Sequence, residues 1–175
     1  MTPPHDRPSL KKTATTKIDS RIPSRLDLFN ALENILWFWP ELFIQSAEIT
    51  ETQRSQMILT RSVRLTGTHE GTVTFQATPE LGALMAQNLL QIENADAHAA
   101  DAFTEFVNMF CGHMMNRIRD TTKASFRHFL PLEVPKSEWP ASSPDSTLMV
   151  GVGAHLLQID LWLSRPEAVE GKDPA

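Results

Sequence analysis

The stretch from Ala102 to Ile118 carries apolar side chains at three- and four-residue steps, and this periodicity is the strongest constraint on the fold. At about 100° per residue, such spacing places the apolar side chains on one side of a single helix. The residues on this side are Ala102, Phe103, Phe106, Val107, Phe110, Met114 and Ile118. A helix of this kind buries its apolar side against a core, so its opposite side is predicted to face solvent.

The predicted solvent-facing side carries four residues that we call the polar stripe, Asp101, Glu105, Asn108 and Gly112. These positions fall within about 60° of one another around the helix axis. Exposed helix positions usually hold strong helix formers, whereas Asn is a mediocre one and Gly costs about 1 kcal/mol relative to Ala. The residues alone leave two interpretations open, an ordinary solvated face and a surface that contacts a partner.

The spacing Asp101-x3-Glu105-x2-Asn108-x22-Pro131 resembles the signature of the CheC/CheX/FliY family of chemotaxis phosphatases. Residues 65–75 are also similar to a strand pair of that family that contains two glycines. The resemblance implies an α+β fold of the CheC type, in which a mostly antiparallel sheet packs with long helices in a single domain. It points to the CheX-like branch of the family.

This resemblance implies a hydrolase that removes the aspartyl phosphate of a CheY-type response-regulator receiver domain, in chemotaxis or another two-component pathway. Glu105 and Asn108 are the implied catalytic residues. Asn108 would orient the attacking water, and Glu105 would pair with a lysine of the receiver. Asp101, Gly112 and Met115 are the expected binding residues around them. No cofactor of its own is expected, because the receiver domain would hold the Mg²⁺.

The first predicted helix contains Asn30-Ala31-Leu32-Glu33-Asn34, in which no Glu precedes an Asn by three residues. Two-site relatives carry a second Glu-x2-Asn in the corresponding helix. One site per chain is therefore expected, as in the CheX-like branch. Resemblance to that branch also implies a homodimer formed through sheet edges.

Other functions are weighed against hydrolysis. A CheC-like module could bind a response regulator or another signalling protein without hydrolysing it, and a structural role similar to that of flagellar switch proteins is a third class. A metal site is disfavoured because Glu105, Cys111 and His113 point in divergent directions on the helix. Cys111 is instead expected to be a small packing residue.

Several histidines lie on different predicted elements with no pair at the spacing of metal ligands. Each is therefore expected to be a surface or half-buried residue. These histidines are His98, His113, His128 and His155.

The N-terminal segment differs in composition from the rest of the chain. Residues 1–25 hold six basic and two acidic side chains, whereas the whole chain carries a net charge of −5. The remaining body is therefore strongly acidic, which argues against nucleic acid as a partner. We expect a disordered basic leader over residues 1–23, one domain over residues 24–165 and a frayed tail over residues 166–175.

Two features argue against a secreted or membrane-bound protein. No apolar run follows the early basic residues, so a signal peptide is not expected. The most apolar stretch, residues 35–44, is interrupted by Pro40 and Glu41 and is too short to span a bilayer. A cytoplasmic protein is expected.

Hydrophobic periodicity and breaker residues predict an order of helix, strands, two helices and strands. The first helix should start after Pro23-Ser24, carry Leu26 on its apolar side and end at Pro40. The other predicted bounds are strands over 57–65 and 72–77 joined by a loop over 66–71, helices over 79–91 and about 95–119, a strand over 126–130, and a hairpin of 146–150 and 155–163 turned around 151–153.

Overall fold

The computed structural model describes residues 23–36, 44–45, 50–90, 95–122 and 125–164. Except for Pro23, the predicted leader lies outside these ranges, and so does the predicted tail. The predicted division into leader, domain and tail therefore stays a prediction. Within the described ranges, no helix is both long enough and apolar enough to cross a membrane.

The described helices and strands follow the predicted order, with a short strand and a short helix added between the first helix and the first predicted strand. A 3₁₀ helix of one turn, Asp96–His98, directly precedes the longest described helix. The elements are α1 (Arg25–Leu36), β1 (Ile44–Gln45), α2 (Glu51–Ser55), β2 (Leu59–Gly67), β3 (Glu70–Ala77), α3 (Pro79–Leu90), α4 (Ala99–Thr122), β4 (Phe126–His128), β5 (Ser146–Val152) and β6 (His155–Ser164).

The described strands form one sheet in the order β1-β5-β6-β3-β2-β4. Every pair of neighbouring strands is antiparallel. Strands β1 and β4 are the two edges, and β4 lies beside β2. The prediction of an α+β fold with a mostly antiparallel sheet is confirmed.

The helices α1, α3 and α4 pack on one face of this sheet. The apolar residues that β2, β3 and β6 contribute to the main core cluster all have odd numbers, so they point to the same face. Residues of the three helices belong to that cluster as well. Phe75 of β3 meets Phe110 of α4 edge to face, with ring centroids 5.3 Å apart. The apolar side of α4 is therefore buried, as predicted, and its polar stripe points away from the core.

The start of α1 is capped as predicted. The backbone N–H of Ser24 donates to Oδ2 of Asp27 at 2.8 Å, and the N–H of Asp27 donates to Oγ of Ser24 at 3.3 Å. The described part of the helix reaches Leu36, and its predicted end at Pro40 lies outside the described residues and stays a prediction. Placing Leu26 on the buried side was wrong, because its side chain is 63% exposed. The buried side is instead formed by Leu28, Ala31, Leu32, Ile35 and Leu36.

The helix α2 is not among the predicted elements, although its start is readable from the sequence. Thr50 and Gln53 form a capping box, in which each side chain accepts a hydrogen bond from the backbone N–H of the other residue.

Both hairpins turn more tightly than predicted, because the strand ladders continue into the predicted loops. The turns are Thr68–His69 and Gly153–Ala154, and Gly153 has a φ of 60°, which suits glycine.

A β-bulge directly follows the edge strand β4. His128 pairs with Leu65, whereas Leu132 forms an isolated bridge with Ser62. The edge strand therefore has one residue more than β2 between the two pairs. Pro131 lies in this bulge and has no N–H to donate to the ladder, so regular pairing ends at His128 rather than at residue 130.

Candidate functional site

The polar stripe occupies the outward side of α4 over about three turns. Asp101 and Glu105 are exposed, and Asn108 and Gly112 are half-buried. The helix presents these groups because its aromatic side, with Phe103, Phe106 and Phe110, is fully buried. The four residues thus form the continuous outward surface that the helical periodicity predicts.

Gly112 leaves a gap at the far end of the polar stripe. A Cβ atom placed on Gly112 would have no neighbouring atom within 4 Å. The glycine is therefore not required by any packing contact inside the described part of the chain. A surface without a side chain at this point lets another molecule approach the helix backbone closely.

His128 of β4 contacts the polar stripe directly. Its Nε2 lies 3.1 Å from Oδ1 of Asn108, within hydrogen-bond distance. The prediction that His128 is a half-buried residue is correct, but its place beside Asn108 is not foreseen from the sequence. The two residues come together because β4 lies alongside α4 at the edge of the sheet.

Arg61 of β2 supports the same helix from beneath and is also absent from the predicted site. Its side chain is buried, its Nε donates to Oγ1 of Thr104 at 2.7 Å, and its Nη2 donates to the carbonyl oxygen of Ala100 at 3.0 Å. A signal for Arg61 exists in the sequence, because it shares the odd numbering of the core-facing residues Val63 and Leu65. An arginine on an apolar strand face needs partners from the element packed above it.

Met115, expected as a binding residue at the rim of the polar stripe, is mostly buried, and its role in binding stays a prediction. Its side chain is only 8% exposed and belongs to the main core cluster, together with Met114 and Ile118. The position lies at the border between the wet and dry sides of α4. A flexible thioether side chain at such a border can turn inward and fill a gap in the core.

Cys111 is buried in the core, as expected for a packing residue. Burial raises the pKa of its thiol well above the ordinary range, because the core cannot solvate a thiolate. Glu105 and His113 are exposed, so they do not meet the thiol. Among the described residues, no group of three or more His, Cys, Asp or Glu side chains is placed to hold a metal ion.

The chain resembles known structures over most of its length. A chemotaxis protein CheX from Desulfovibrio desulfuricans shares 14% identity with a TM-score of 0.59, over 79% of this chain and 97% of its own. A CheX from Vibrio vulnificus shares 14% identity with a TM-score of 0.60, over 87% and 100%. A chain of a CheX–CheY–BeF3–Mg²⁺ complex from Borrelia burgdorferi shares 16% identity with a TM-score of 0.59, over 82% of this chain and 99% of its own.

At these identities the structural likeness establishes the fold alone. The chain has no significant sequence match among curated proteins. The model of the family described as chemotaxis phosphatase CheX matches residues 59–145, about half of the chain. This segment runs from β2 to the residue before β5, so it includes the polar stripe, His128 and Pro131. Together with the fold, this match establishes that the chain belongs to the CheX family of chemotaxis phosphatases.

Proposed function

We propose that this protein hydrolyses the aspartyl phosphate of a CheY-type receiver domain, with Asn108 and Glu105 as its catalytic residues. The observation that carries the proposal is the outward placement of these two side chains, one turn apart on α4, within the segment that matches the phosphatase family. Hydrolysis rather than simple docking is favoured because a pure binding surface has no need for a carboxamide at this position.

Hydrolysis of an aspartyl phosphate requires few catalytic groups from the protein that assists it. An aspartyl phosphate has a good leaving group and its transfer proceeds through a loose transition state, so a strong base is not required. The helper must hold a water molecule in line with the departing carboxylate. A carboxamide both donates and accepts hydrogen bonds at neutral pH, and Asn108 can therefore orient that water.

The carboxylates of the polar stripe would hold the receiver in place. Glu105 would pair with the lysine that receiver domains carry beside their phosphorylation site, through a charge-assisted hydrogen bond. Asp101 would extend this acidic contact by one turn, and the gap at Gly112 would accept the partner at the other end. Mg²⁺ would belong to the receiver domain, and the Borrelia complex of CheX and CheY contains this ion.

A homodimer is part of the same proposal. Beyond the regular pairing of the edge strand β4, Leu130 and Leu132 are 76% and 64% exposed. Exposed apolar residues beside an unpaired strand edge favour association with another chain. Light scattering should give the mass of a dimer for the wild type and of a monomer for Leu130→Lys combined with Leu132→Lys. A wild type that is monomeric at every concentration would contradict this part of the proposal.

The proposed activity is tested by following the decay of a phosphorylated receiver with and without the protein. The wild type should accelerate the decay, and Asn108→Ala should reduce the rate to that of the receiver alone. Gln87→Ala is the control, because Gln87 carries an exposed carboxamide on α3, away from the polar stripe. A wild type that binds the receiver without accelerating the decay would identify a docking module instead.

A further inference from the structure

The hydrogen bond between His128 and Asn108 fixes which end of the carboxamide faces the partner. Oδ1 of Asn108 carries no proton, so Nε2 of His128 must hold the proton that joins the two atoms at 3.1 Å. The last side-chain torsion of an asparagine is otherwise broad and roughly two-fold, so the oxygen and nitrogen positions can exchange. The imidazole removes this freedom by holding Oδ1 on the side of β4.

The remaining hydrogen-bonding capacity of Asn108 suits the placement of a water molecule. After Oδ1 accepts from His128, it keeps one lone pair, and the NH₂ group keeps two donors. The water can therefore be held by an acceptor and a donor whose directions are set before the receiver arrives. Fixing a reacting group in advance lowers the entropy that must be lost in the transition state.

His128 is itself held on a well-anchored strand. It pairs with Leu65 in the ladder between β2 and β4. Two residues earlier, the ring of Phe126 stacks on buried His69, with centroids 5.8 Å apart and an interplanar angle of 18°. Phe126 and His128 point to the same face because side chains alternate along a strand.

A glycine allows β4 to approach β2 this closely. Gly67 has a φ of 136°, and a Cβ atom there would collide with the carbonyl oxygen of Ser125. The N–H of Thr68 donates to that same oxygen at 2.8 Å, and the N–H of Ser125 donates to Oγ1 of Thr68 at 2.9 Å. The strand that carries His128 is therefore tied down at its beginning as well as along its ladder.

We propose that His128 is a positioning residue, which holds the carboxamide of Asn108 in the orientation that hydrolysis of the receiver phosphate requires. This inference rests on the proposed function. It assigns His128 no contact with the phosphate and no proton transfer. Its effect should therefore fall on the rate of the chemical step and not on the affinity for the receiver.

The test compares two substitutions of His128 in the full chain. His128→Leu removes the donor but keeps an apolar side chain of moderate size. His128→Gln keeps an N–H donor near the position of Nε2. With a phosphorylated receiver as substrate, His128→Leu should lower kcat by about tenfold or more and leave KM within about twofold. His128→Gln should restore most of kcat.

If His128 had only a structural role, both variants would lose stability. A loss of kcat with an unchanged KM, restored in His128→Gln, would not then be expected. Equal losses of kcat in both variants, or an unchanged or higher kcat in His128→Leu, would overturn the inference while the proposed function stands. A wild type that does not accelerate the decay would overturn the proposed function and the inference together.

A second measurement does not depend on activity. Long-range ¹⁵N spectra of the imidazole of the wild type should report a proton on Nε2 of His128. A neutral ring protonated only on Nδ1 would overturn the inference, because Nε2 could then donate nothing to Oδ1 of Asn108.

Discussion

The side chain of Arg61 donates from Nε to Oγ1 of Thr104 at 2.7 Å, which ties strand β2 to the helix that carries the polar stripe. Its second bond reaches the carbonyl oxygen of Ala100. Ala100 directly precedes Asp101 in the chain, and Thr104 directly precedes Glu105. The buried guanidinium therefore holds the helix segment from which both carboxylates project.

Replacing Arg61 should destabilise the fold although the residue is charged. In Arg61→Met the charge-assisted bonds to α4 are lost, and we expect the free energy of unfolding to fall by about 2–3 kcal/mol. Glu133→Ala is the control, because this carboxylate contacts Arg61 at 3.5 Å but is 78% exposed. Its loss should cost less than about 0.5 kcal/mol. Equal effects in urea unfolding would contradict a specific role for the bonds to α4.

Docking and chemistry should respond to different residues of the polar stripe. Glu105→Lys would place two cations together at the contact with the receiver, so association should weaken by several kcal/mol. Asn108→Ala should leave the affinity nearly unchanged. Both are measured by binding to a receiver that carries a stable phosphoryl mimic. Glu80→Lys, which makes the same charge change at an exposed position on α3, should bind normally.

Gly112→Ala should make the protein more stable and less active. A Cβ atom fits into open space at this position, and alanine favours helix over glycine by about 0.5–1 kcal/mol. If the receiver approaches the backbone there, the added methyl group should raise KM in the phosphatase assay. His113→Ala adds helix propensity at an exposed position about 100° around the helix from Gly112 and should leave KM unchanged. An unchanged KM in Gly112→Ala would show that the gap is not used.

The thiol of Cys111 should make stability depend on alkaline pH. Below its ordinary pKa of 9.0 the thiol is protonated in both the native and the unfolded states, so it adds no pH dependence. Above that pH the unfolded chain releases the proton, whereas burial, which raises the pKa of Cys111, keeps it in the native protein. The free energy of unfolding should then fall by up to about 1.4 kcal/mol per pH unit.

Urea unfolding of the wild type and of Cys111→Ala, between about pH 8 and 10, isolates this contribution, since all other groups titrate alike in both. The difference in stability between the two proteins should be constant up to about pH 9 and should shift against the wild type above it. A difference that stays constant throughout this range would mean that the native thiol ionises in the ordinary way.

The elements that follow from local signals are predictable from the sequence. Ser24 and Asp27 set the start of α1, Pro79 begins α3, and the period of the apolar residues sets the buried side of α4. The outward direction of Glu105 follows from the same period. Each of these features depends on residues close together in the chain.

The parts of the site that depend on tertiary contacts are not predictable in this way. His128 meets Asn108 only because the sheet places β4 beside α4, an arrangement that no local pattern encodes. Met115 lies at the border of two helix sides, where the angle around the axis does not decide between solvent and core. Leu26 fails for a similar reason, because it matches the apolar period but the packed side of α1 starts at Leu28.

The hydrogen bond between His128 and Asn108 also gives the spacing of the motif a geometric meaning. The helix rises by about 21 Å from Asn108 to its end at Thr122, and the six residues from Thr122 to His128 can span at most about 20–22 Å. The segment from Thr122 to His128 is therefore barely long enough to bring His128 back to Asn108. Removing one residue would shorten its reach and turn His128 to the other face of the sheet. The 22-residue interval between Asn108 and Pro131 is therefore a required length of chain, in which substitutions are tolerated more readily than insertions or deletions.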